Sequence, residues 1–369
     1  MPDPALVCEV RTEGGTFTDW LTVQVNQSID TNWMRTFRLT CAEPSGKIMQ
    51  RLVPGKRVDI ALAGQVVIQE GYIVTRQSAY DANRHGVQVE GYSKAGPITQ
   101  VSAEAGTGQF RGYGIEAIAK KLLKPHGIGF RLENPPEGAS EPFPNVIIRH
   151  GETPFDAISR LCRQRGLWMR AEANGDLVAG AKTGGGGLVF AEGDNILSAN
   201  CAIEMAAAAS VLGRSQQPGS DSLFGRKAAE VSAQSTLGDG IPGLARKVLA
   251  EMPLNEKELQ ARVNMEAQAI EAARLRVTLS YQGWLNPAGK LWDLTESVKV
   301  KSPMLFPTES GELDLRLFAY TYSQSPEGQT TTAIELVNQA AFNVAHPDGT
   351  TSDGFFGSQP TPAKPEVST

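Results

Sequence analysis

The chain is poor in cysteine and histidine, with four of each among 369 residues. No pair of cysteines has the CxxC spacing of a zinc site or a redox motif, and no histidine stands at metal-ligand spacing from them. The cysteines are Cys8, Cys41, Cys162 and Cys201. A chain of this length can build a core without disulfides, so we expect buried, reduced thiols and folding in a reducing cytoplasm.

Long apolar runs and an excess of positive charge are also missing. No stretch approaches the roughly 20 apolar residues that cross a bilayer, so we expect no membrane segment. The opening residues, MPDPALVCEV, lack the basic region and apolar core of a secretory signal. The formal net charge of −5 argues against a protein whose main role is to grip nucleic acid, because that role needs clustered positive charge.

What is present is the composition of a folded chain, 41% hydrophobic and 20% charged, with a length that suits two or three domains. Residues 1–95 alternate apolar and polar side chains with the period of half-buried strands, as at Leu21, Val23 and Val25. Five or six antiparallel strands with short connections predict a small β-barrel, because closure removes exposed edges.

Residues 96–190 change to a helical period and predict an inserted α+β domain. Two short amphipathic helices are expected, followed by two strands joined at the ANGD turn, residues 173–176. The residues predicted to face inward are Ile115, Ile118, Ala119 and Leu122 in the first helix, and Phe155, Ile158, Leu161 and Cys162 in the second.

Residues 191–345 return to alternation and predict a second β-barrel that includes a helical excursion over 213–272. Within the excursion, 213–253 is rich in Gly, Ser, Pro and charge, and the segment after it is the strongest helical stretch of the chain. The fold class is therefore mainly β (α+β), with two similar antiparallel β-barrels in one chain.

Residues 346–369 form a tail rich in Pro, Gly, Ser and Thr, of the composition that stays flexible in isolation. Its one apolar feature is the adjacent pair Phe355 and Phe356. Two aromatics without a local core to join are a candidate anchor for a partner protein, by folding on binding.

A short phrase occurs twice, as PGKRVDI at Pro54–Ile60 and as PAGKLWDL at Pro287–Leu294. Each copy stands at the start of a run of predicted strands that ends in a hairpin. The matched position favours duplication of one barrel over coincidence. The residues of this candidate duplicated motif are Gly55, Lys56, Asp59, Gly289, Lys290 and Asp293.

The sequence signals for catalysis or ligand binding are weak. Gly175 and Gly180 have the spacing of a phosphate-binding loop, but no lysine follows the second glycine directly and GGGGLVF follows where a helix is required, so a hairpin is the better interpretation. Cys162 and His150 could form a nucleophile pair, yet Cys162 lies on the apolar face of its helix, where a thiol packs. We therefore expect no catalytic, cofactor-binding or metal-binding residues.

Carboxylates and tryptophans have ordinary structural explanations as well. Several glutamates lie on or near the long helix, and a solvated helix face accounts for them. They are Glu251, Glu256, Glu258, Glu266 and Glu271. Trp20, Trp284 and Trp292 could form a platform that stacks on sugars, but each lies in or beside a strand, where burial is the default.

In order and over nearly the whole chain, the sequence resembles the baseplate hub proteins of contractile-tailed phages, in particular the phage Mu type and the related late-control D proteins. The segments that carry the resemblance are Pro54–Lys94, Ile115–Phe130, Glu152–Val178, Gly283–Leu294 and Glu327–Phe342. Residues 213–253 and the tail fit the pattern poorly.

This resemblance implies a structural protein and no enzyme: a homotrimer at the centre of a virion's tail baseplate, assembled in the host cytoplasm. Two similar barrels per chain would place six around the axis, which adapts a sixfold tail tube to a threefold central spike. The implied partners are other copies of the chain, the spike protein, the tail tube or distal tube protein and surrounding baseplate proteins. A mildly acidic lumen would let DNA pass without specific binding.

Two other functions stay open on the sequence. A cell-wall hydrolase carried on the tail would need an acid/base or nucleophile constellation, which the sequence does not show. The hub of a contractile secretion apparatus shares the barrel pair, but such chains usually continue into a long β-helical needle.

Overall fold

The structure is a computed structural model of the chain. The residues that it describes are 4–29, 33–42, 52–80, 85–104, 106–180, 186–216, 225, 230–238, 240–250, 254–306, 311–327 and 329–338.

The described residues form 21 strands and three α-helices, and the molecule is mainly β, as predicted. The first part of the chain contains β1 (Cys8–Thr12), β2 (Gly15–Phe17), β3 (Thr22–Ser28), β4 (Arg35–Ala42), β5 (Arg57–Leu62), β6 (Gln65–Tyr80) and β7 (His85–Tyr92). The middle part contains β8 (Gln109–Phe110), α1 (Ile115–Leu123), β9 (Phe130–Glu133), β10 (Val146–Ile147), α2 (Pro154–Gln164), β11 (Trp168–Ala171) and β12 (Leu177–Gly180).

The remaining strands and the last helix follow. They are β13 (Gly186–Ala191), β14 (Ser198–Ile203), β15 (Ser210–Ser215), β16 (Val231–Thr236), β17 (Ala245–Leu249), α3 (Glu256–Ala273), β18 (Leu275–Gln282), β19 (Ser297–Lys301), β20 (Glu312–Gln324) and β21 (Thr330–Asn338).

Two sets of five strands have the same arrangement. The first block consists of β3 to β7, which lie side by side in the order β3-β4-β7-β6-β5. The second block consists of β14 and β18 to β21, which lie in the order β14-β18-β21-β20-β19. Every neighbouring pair in both blocks is antiparallel. Numbered along the chain within each block, the order is 1-2-5-4-3 both times.

The two blocks also share an irregularity in their longest strand. The pairing of β6 with β7 skips Val74, which lies six residues before the end of β6. The pairing of β20 with β21 skips Phe318, which lies six residues before the end of β20. A bulge bends a strand and increases its twist, so the two longest strands bend at equivalent points.

The blocks are joined edge to edge, because β3 pairs with β20 from Val23–Gln324 to Ser28–Ala319. Together with β1, β2 and β13 they form one sheet of 13 strands. The described strands of this sheet do not close into barrels, so the prediction of two separate barrels is not confirmed. Antiparallel strands and short hairpins, the local part of the prediction, are confirmed.

A single hydrophobic cluster runs through both blocks. It contains Val25 and Leu39 from the first block and Leu279 and Tyr322 from the second, each at most 1% exposed. The buried faces of the two blocks are therefore continuous, in keeping with the strand pairing that joins them.

Residues 96–180, called the insert below, form a small α+β unit with a separate core. Every residue predicted to face inward in its two helices is buried. Thr153 caps α2, since its side-chain oxygen accepts a hydrogen bond from the Asp156 N–H at 3.0 Å. The ANGD turn joins β11 to β12, as predicted.

The described residues of the excursion predicted over 213–272 contain more regular secondary structure than the composition indicates. β15, β16 and β17 form a three-stranded sheet on which α3 packs, with Val211, Leu259 and Val263 in a third core. A capping box formed by Asn255 and Glu258 begins α3. The glycines and serines of the segment concealed this unit from a periodicity argument.

Candidate functional site

The junction where the first block, the second block and the insert meet is the candidate functional site. It is built on the pairing of β3 with β20, which places Gln27 opposite Tyr320 and Val25 opposite Tyr322. Gln27 is 2% exposed and Tyr320 1% exposed. A buried amide and a buried phenol must find hydrogen-bond partners, and each finds them in another unit.

Gln27 connects three segments. Its Nε2 donates to the carbonyl oxygen of Trp33 at 2.7 Å and to that of Ala171 in β11 at 3.1 Å. The Tyr320 hydroxyl donates to its Oε1 at 2.6 Å. One side chain of β3 therefore holds the insert and the second block together.

Arg35 completes the network from β4. Its Nε donates to the Tyr320 hydroxyl oxygen at 3.2 Å, and its Nη1 donates to the Ala171 carbonyl at 3.2 Å. Burial raises the pKa of Tyr320 above its ordinary value, and the nearby Arg35 opposes this only in part. Tyr320 is therefore protonated at neutral pH and remains a donor to Gln27.

The insert makes a second contact with the first block beyond this network. The backbone N–H of Gln69 donates to the Ala173 carbonyl at 2.8 Å. A carboxylate beside it, Glu70, pairs with Lys94 at 2.5 Å and with Arg57 at 3.1 Å. These partners, Lys94 first, hold the pKa of Glu70 below its ordinary value, so Glu70 stays charged in neutral solution.

The second copy of the repeated phrase also lies at the junction. The Nε2 of Gln65, at the start of β6, donates to the Gly289 carbonyl at 2.8 Å, while its Oε1 accepts from the Leu291 N–H at 3.1 Å. A single side chain of the first block thus recognises the backbone of the second, across 224 residues of sequence.

The six residues of the candidate motif do not come together in one place. Gly55 and Gly289 both adopt left-handed backbone, with φ of 87° and 73°, as their turns require. Asp59 lies within β5 and accepts from the Glu70 N–H at 2.7 Å. Asp293 lies before β19 and accepts from the Thr295 N–H at 2.9 Å. Their equivalence stays a prediction.

The two lysines of the motif differ in the same way. Lys56 directly precedes β5, and its Nζ lies 3.6 Å from the Glu13 Oε2. The backbone N–H of Lys290 donates to the Asn286 Oδ1 at 3.0 Å. By strand pairing, Val58 of the first block corresponds to Val298 of the second. The residues opposite them, Gly71 and Leu315, each lie three residues before the bulge of their strand.

A cavity of about 390 Å³ opens at the junction. Its lining carries both signs of charge, from Arg35, Arg170, Glu172 and Asp293. Hydrogen bonds from Arg131 lower the pKa of Glu172, which is therefore an ion-pair partner in this wall. No group of three or more candidate metal ligands occurs among the described residues.

The candidate nucleophile Cys162 is unsuited to catalysis. It is 1% exposed within the core of the insert, and burial raises its pKa to about 12, whereas His150 lies at the surface. A thiol must ionise to attack a substrate, and this one stays protonated at neutral pH. Cys162 packs in the core, as its position on the helix predicts.

The glutamates of α3 differ from the predicted solvated face. Glu258 pairs with Arg165 of the insert at 2.7 Å. Glu271 is 6% exposed and pairs with Arg274 at 2.7 Å. The interpretation as a solvated face was wrong for Glu271, because the last turns of α3 pack against β18 and β21. Glu251 lies outside the described residues.

The remaining candidates are resolved by burial or fall outside the described part. Trp20, Trp284 and Trp292 are at most 7% exposed, so they pack in the core and form no sugar platform. Phe355 and Phe356 lie outside the described residues. None of the described helices is long and apolar enough to cross a membrane.

Comparison with known proteins finds similarity to phage baseplate proteins. Residues 7–93 match the model of the N-terminal domain of the Mu phage baseplate assembly protein GpP-like family, and residues 95–181 match the second domain of the baseplate hub protein gp44-like family. The chain is 29% identical over 290 residues to the baseplate hub protein gp44 of Escherichia phage Mu, covering 77% of this chain and 76% of that protein.

Two solved structures share the fold. The 43 kDa tail protein of prophage MuSo2 from Shewanella oneidensis has a TM-score of 0.77 at 20% identity, covering 91% of this chain and 99% of that chain. A tail protein from Neisseria meningitidis MC58 has a TM-score of 0.75 at 17% identity, covering 92% and 98%. The resemblance drawn from the sequence is confirmed: the chain is similar to the phage Mu-like baseplate hub proteins.

Proposed function

We propose that this chain is the structural hub of a phage tail baseplate, in which three copies form a ring with six similar lobes. The observation that supports the proposal is the repeated 1-2-5-4-3 strand order with a bulge at the same place in each block. Two equivalent blocks per chain give six around a threefold axis, so one ring can meet sixfold and threefold partners.

In this proposal the two blocks take the role assigned to the two barrels, and the junction sets the angle between them. Gln27, Arg35 and Tyr320 fix that angle through buried hydrogen bonds. A ring closes only if each lobe is rotated from the last by a defined amount, which rigid polar contacts supply. The mechanism is mechanical: strand ladders and the shared core bear load.

The partners follow from the geometry of such a ring. One face would dock the tail tube and the other a central spike, while the insert would contact neighbouring baseplate proteins. The lumen would pass DNA without binding it, in keeping with the net charge of −5. The protein would be assembled in the host cytoplasm and reside in the virion.

Light scattering tests the assembly. The purified protein should have a mass three times that of the 39.5 kDa chain at micromolar concentration. Electron microscopy down the axis should show a hollow ring of six similar lobes. A monomer in both experiments would contradict the proposal.

The same preparation tests the rival role as a hydrolase. We expect no clearing of peptidoglycan by the purified ring, because catalysis plays no part in this mechanism. Clearing that persists in a second, independently purified batch would overturn the non-enzymatic assignment.

We also propose that Phe355 and Phe356 anchor the spike. The double substitution of both residues by serine should weaken capture of the purified spike protein while the mass of the hub assembly is unchanged. Substitution of the neighbouring Ser358 by alanine serves as the control. Equal spike capture by all variants would show that the tail has no such role.

A further inference from the structure

Within the described residues of the two blocks, one strand edge of each block has no partner strand. The outer part of β6, Thr75–Tyr80, pairs with β7 on one side, while β5 pairs only with Gln65–Tyr72 on the other. β14 pairs with β18 alone and ends the path of the large sheet. Unpaired edges expose backbone donors and acceptors and are templates for another strand.

Exposed apolar side chains accompany both edges. Tyr80 at the end of β6 is 85% exposed. Beside β14, Leu197 is 56% exposed, Ile203 46% and Met205 65%. Side chains of this kind in a sheet strand normally pack against a neighbouring strand.

The repeated strand order shows what such a partner would be. In the joined edge within the chain, β3 is the first strand of its block and Ala319–Gln324 is the outer part of the longest strand of the other block. β14 holds the place of β3 in the second block, and Thr75–Tyr80 holds the place of Ala319–Gln324 in the first. The open edges are thus the two halves of a second joint of the same kind.

The register of this second strand pairing follows from the pairings within the chain. Counting from the bulges, Ser78 occupies the place of Tyr322, four residues past the skipped residue. The pairings of β21 with β18 and of β18 with β14 correspond to those of β7 with β4 and of β4 with β3. By these pairings, Cys201 occupies the place of Val25. Because Val25 lies opposite Tyr322, Cys201 would lie opposite Ser78.

We infer that β14 of one copy pairs antiparallel with Thr75–Tyr80 of β6 in the next copy, with Cys201 opposite Ser78. The inference rests on the proposed ring and specifies its contact. In this register Tyr80 covers Ala199 and the stem of Arg76 covers Ile203. None of the six facing pairs from Thr75–Glu204 to Tyr80–Ala199 places like charges opposite each other.

The one cysteine that is not buried provides the test. Cys8, Cys41 and Cys162 are buried, whereas Cys201 is partly exposed. Facing residues of antiparallel strands have Cα atoms roughly 4.5–5.5 Å apart, within the range of a disulfide. The variant Ser78→Cys should therefore cross-link to the native Cys201 of the next copy under mild oxidation.

The number of chains in the cross-linked products also shows whether three copies form a closed ring. In denaturing electrophoresis without reductant, the Ser78→Cys variant should give species of up to three chains and none larger, and reductant should return them to one chain. The matched control Gln77→Cys points to the opposite face of the strand and should give no such species. Ser78→Cys combined with Cys201→Ser should also give none.

Failure of this contact is distinguishable from failure of the ring. A trimer in light scattering without cross-linking of Ser78→Cys would overturn the strand pairing and leave the hub ring standing. A monomer would overturn both. Species beyond three chains would support the strand pairing and overturn the closed ring of three.

Discussion

At the scale of the residue, the junction depends on a few buried polar side chains that connect separate units. Gln27 is a polar residue at a strand position where alternation predicts an apolar one, and its partners include Ala171 of the insert and Tyr320 of the second block. A sequence pattern can mark such a residue as unusual. It cannot supply the partner, because Tyr320 is 293 residues away.

Removing the Tyr320 hydroxyl should test this network. The variant Tyr320→Phe leaves the buried Gln27 oxygen without its 2.6 Å donor and removes the acceptor of Arg35 Nε. We expect a loss of about 1–3 kcal/mol in the free energy of unfolding, the usual cost of an unsatisfied buried group, measured by urea denaturation.

Tyr80→Phe is the matched control, because Tyr80 is 85% exposed. Its effect on the free energy of unfolding should stay within about 0.5 kcal/mol. Equal stability of Tyr320→Phe and the unmodified protein would contradict a role of the hydroxyl in holding the blocks together.

At the scale of the element, a buried ion pair that the sequence does not predict stabilises α2. Arg160 Nε lies 2.8 Å from Glu152 Oε1, with the two side chains 4% and 8% exposed. Burial alone would raise the pKa of Glu152, but the hydrogen bonds from Arg160 and the Arg149 N–H outweigh it and the pKa is lowered. The helix face was predictable; this pair was not.

Acidification should therefore weaken the protein through Glu152. Because the folded state lowers this pKa below its ordinary value of 4.5, the contribution is complete above that pH and is lost as the pH falls through the folded value. At pH 7, Glu152→Gln should cost about 3–5 kcal/mol, because the buried Arg160 loses its carboxylate partner. The cost should shrink in urea titrations at pH 3.5.

Glu116→Gln provides the comparison for this prediction. Glu116 pairs with Lys120 on the exposed face of α1, where the side chains are 43% and 58% exposed. Removing such a pair should change the free energy of unfolding by less than about 1 kcal/mol at either pH. A cost for Glu152→Gln that did not change with pH would contradict the assignment.

At the scale of the whole molecule, the two blocks share one hydrophobic cluster. Trp20, directly before the first block, and Trp284 and Trp292 from the second block belong to this cluster. Because the cluster is continuous across the joined edge, we expect the two blocks to unfold together.

Tryptophan fluorescence tests this cooperativity. Variants that keep Trp20 alone or Trp284 alone, with phenylalanine at the other tryptophan positions, should unfold with the same midpoint in guanidinium. Trp168 alone reports on the contact of β11 in the insert with α3 and β21, where it packs against Ala272 and Val337. Two separate midpoints for Trp20 and Trp284 would show that the blocks fold independently.

The sequence by itself determined much of the local structure and the resemblance to phage hub proteins. Period-two alternation placed the strands, and the helical faces at Ile115–Leu122 and Phe155–Cys162 were buried as predicted. These features depend on neighbouring residues, whose spacing along the chain sets their spacing in an element. The resemblance to phage hub proteins held for the same reason, since it rested on several such segments in a fixed order.

The tertiary structure alone decided how these elements combine. It joined the blocks through β3 and β20 into one sheet, and it packed β15, β16 and β17 against α3. It also related the repeats by strand order and bulges, while the two copies of the repeated phrase lie in different surroundings. Which edges pair depends on contacts between residues hundreds of positions apart, and no local pattern of side chains encodes them.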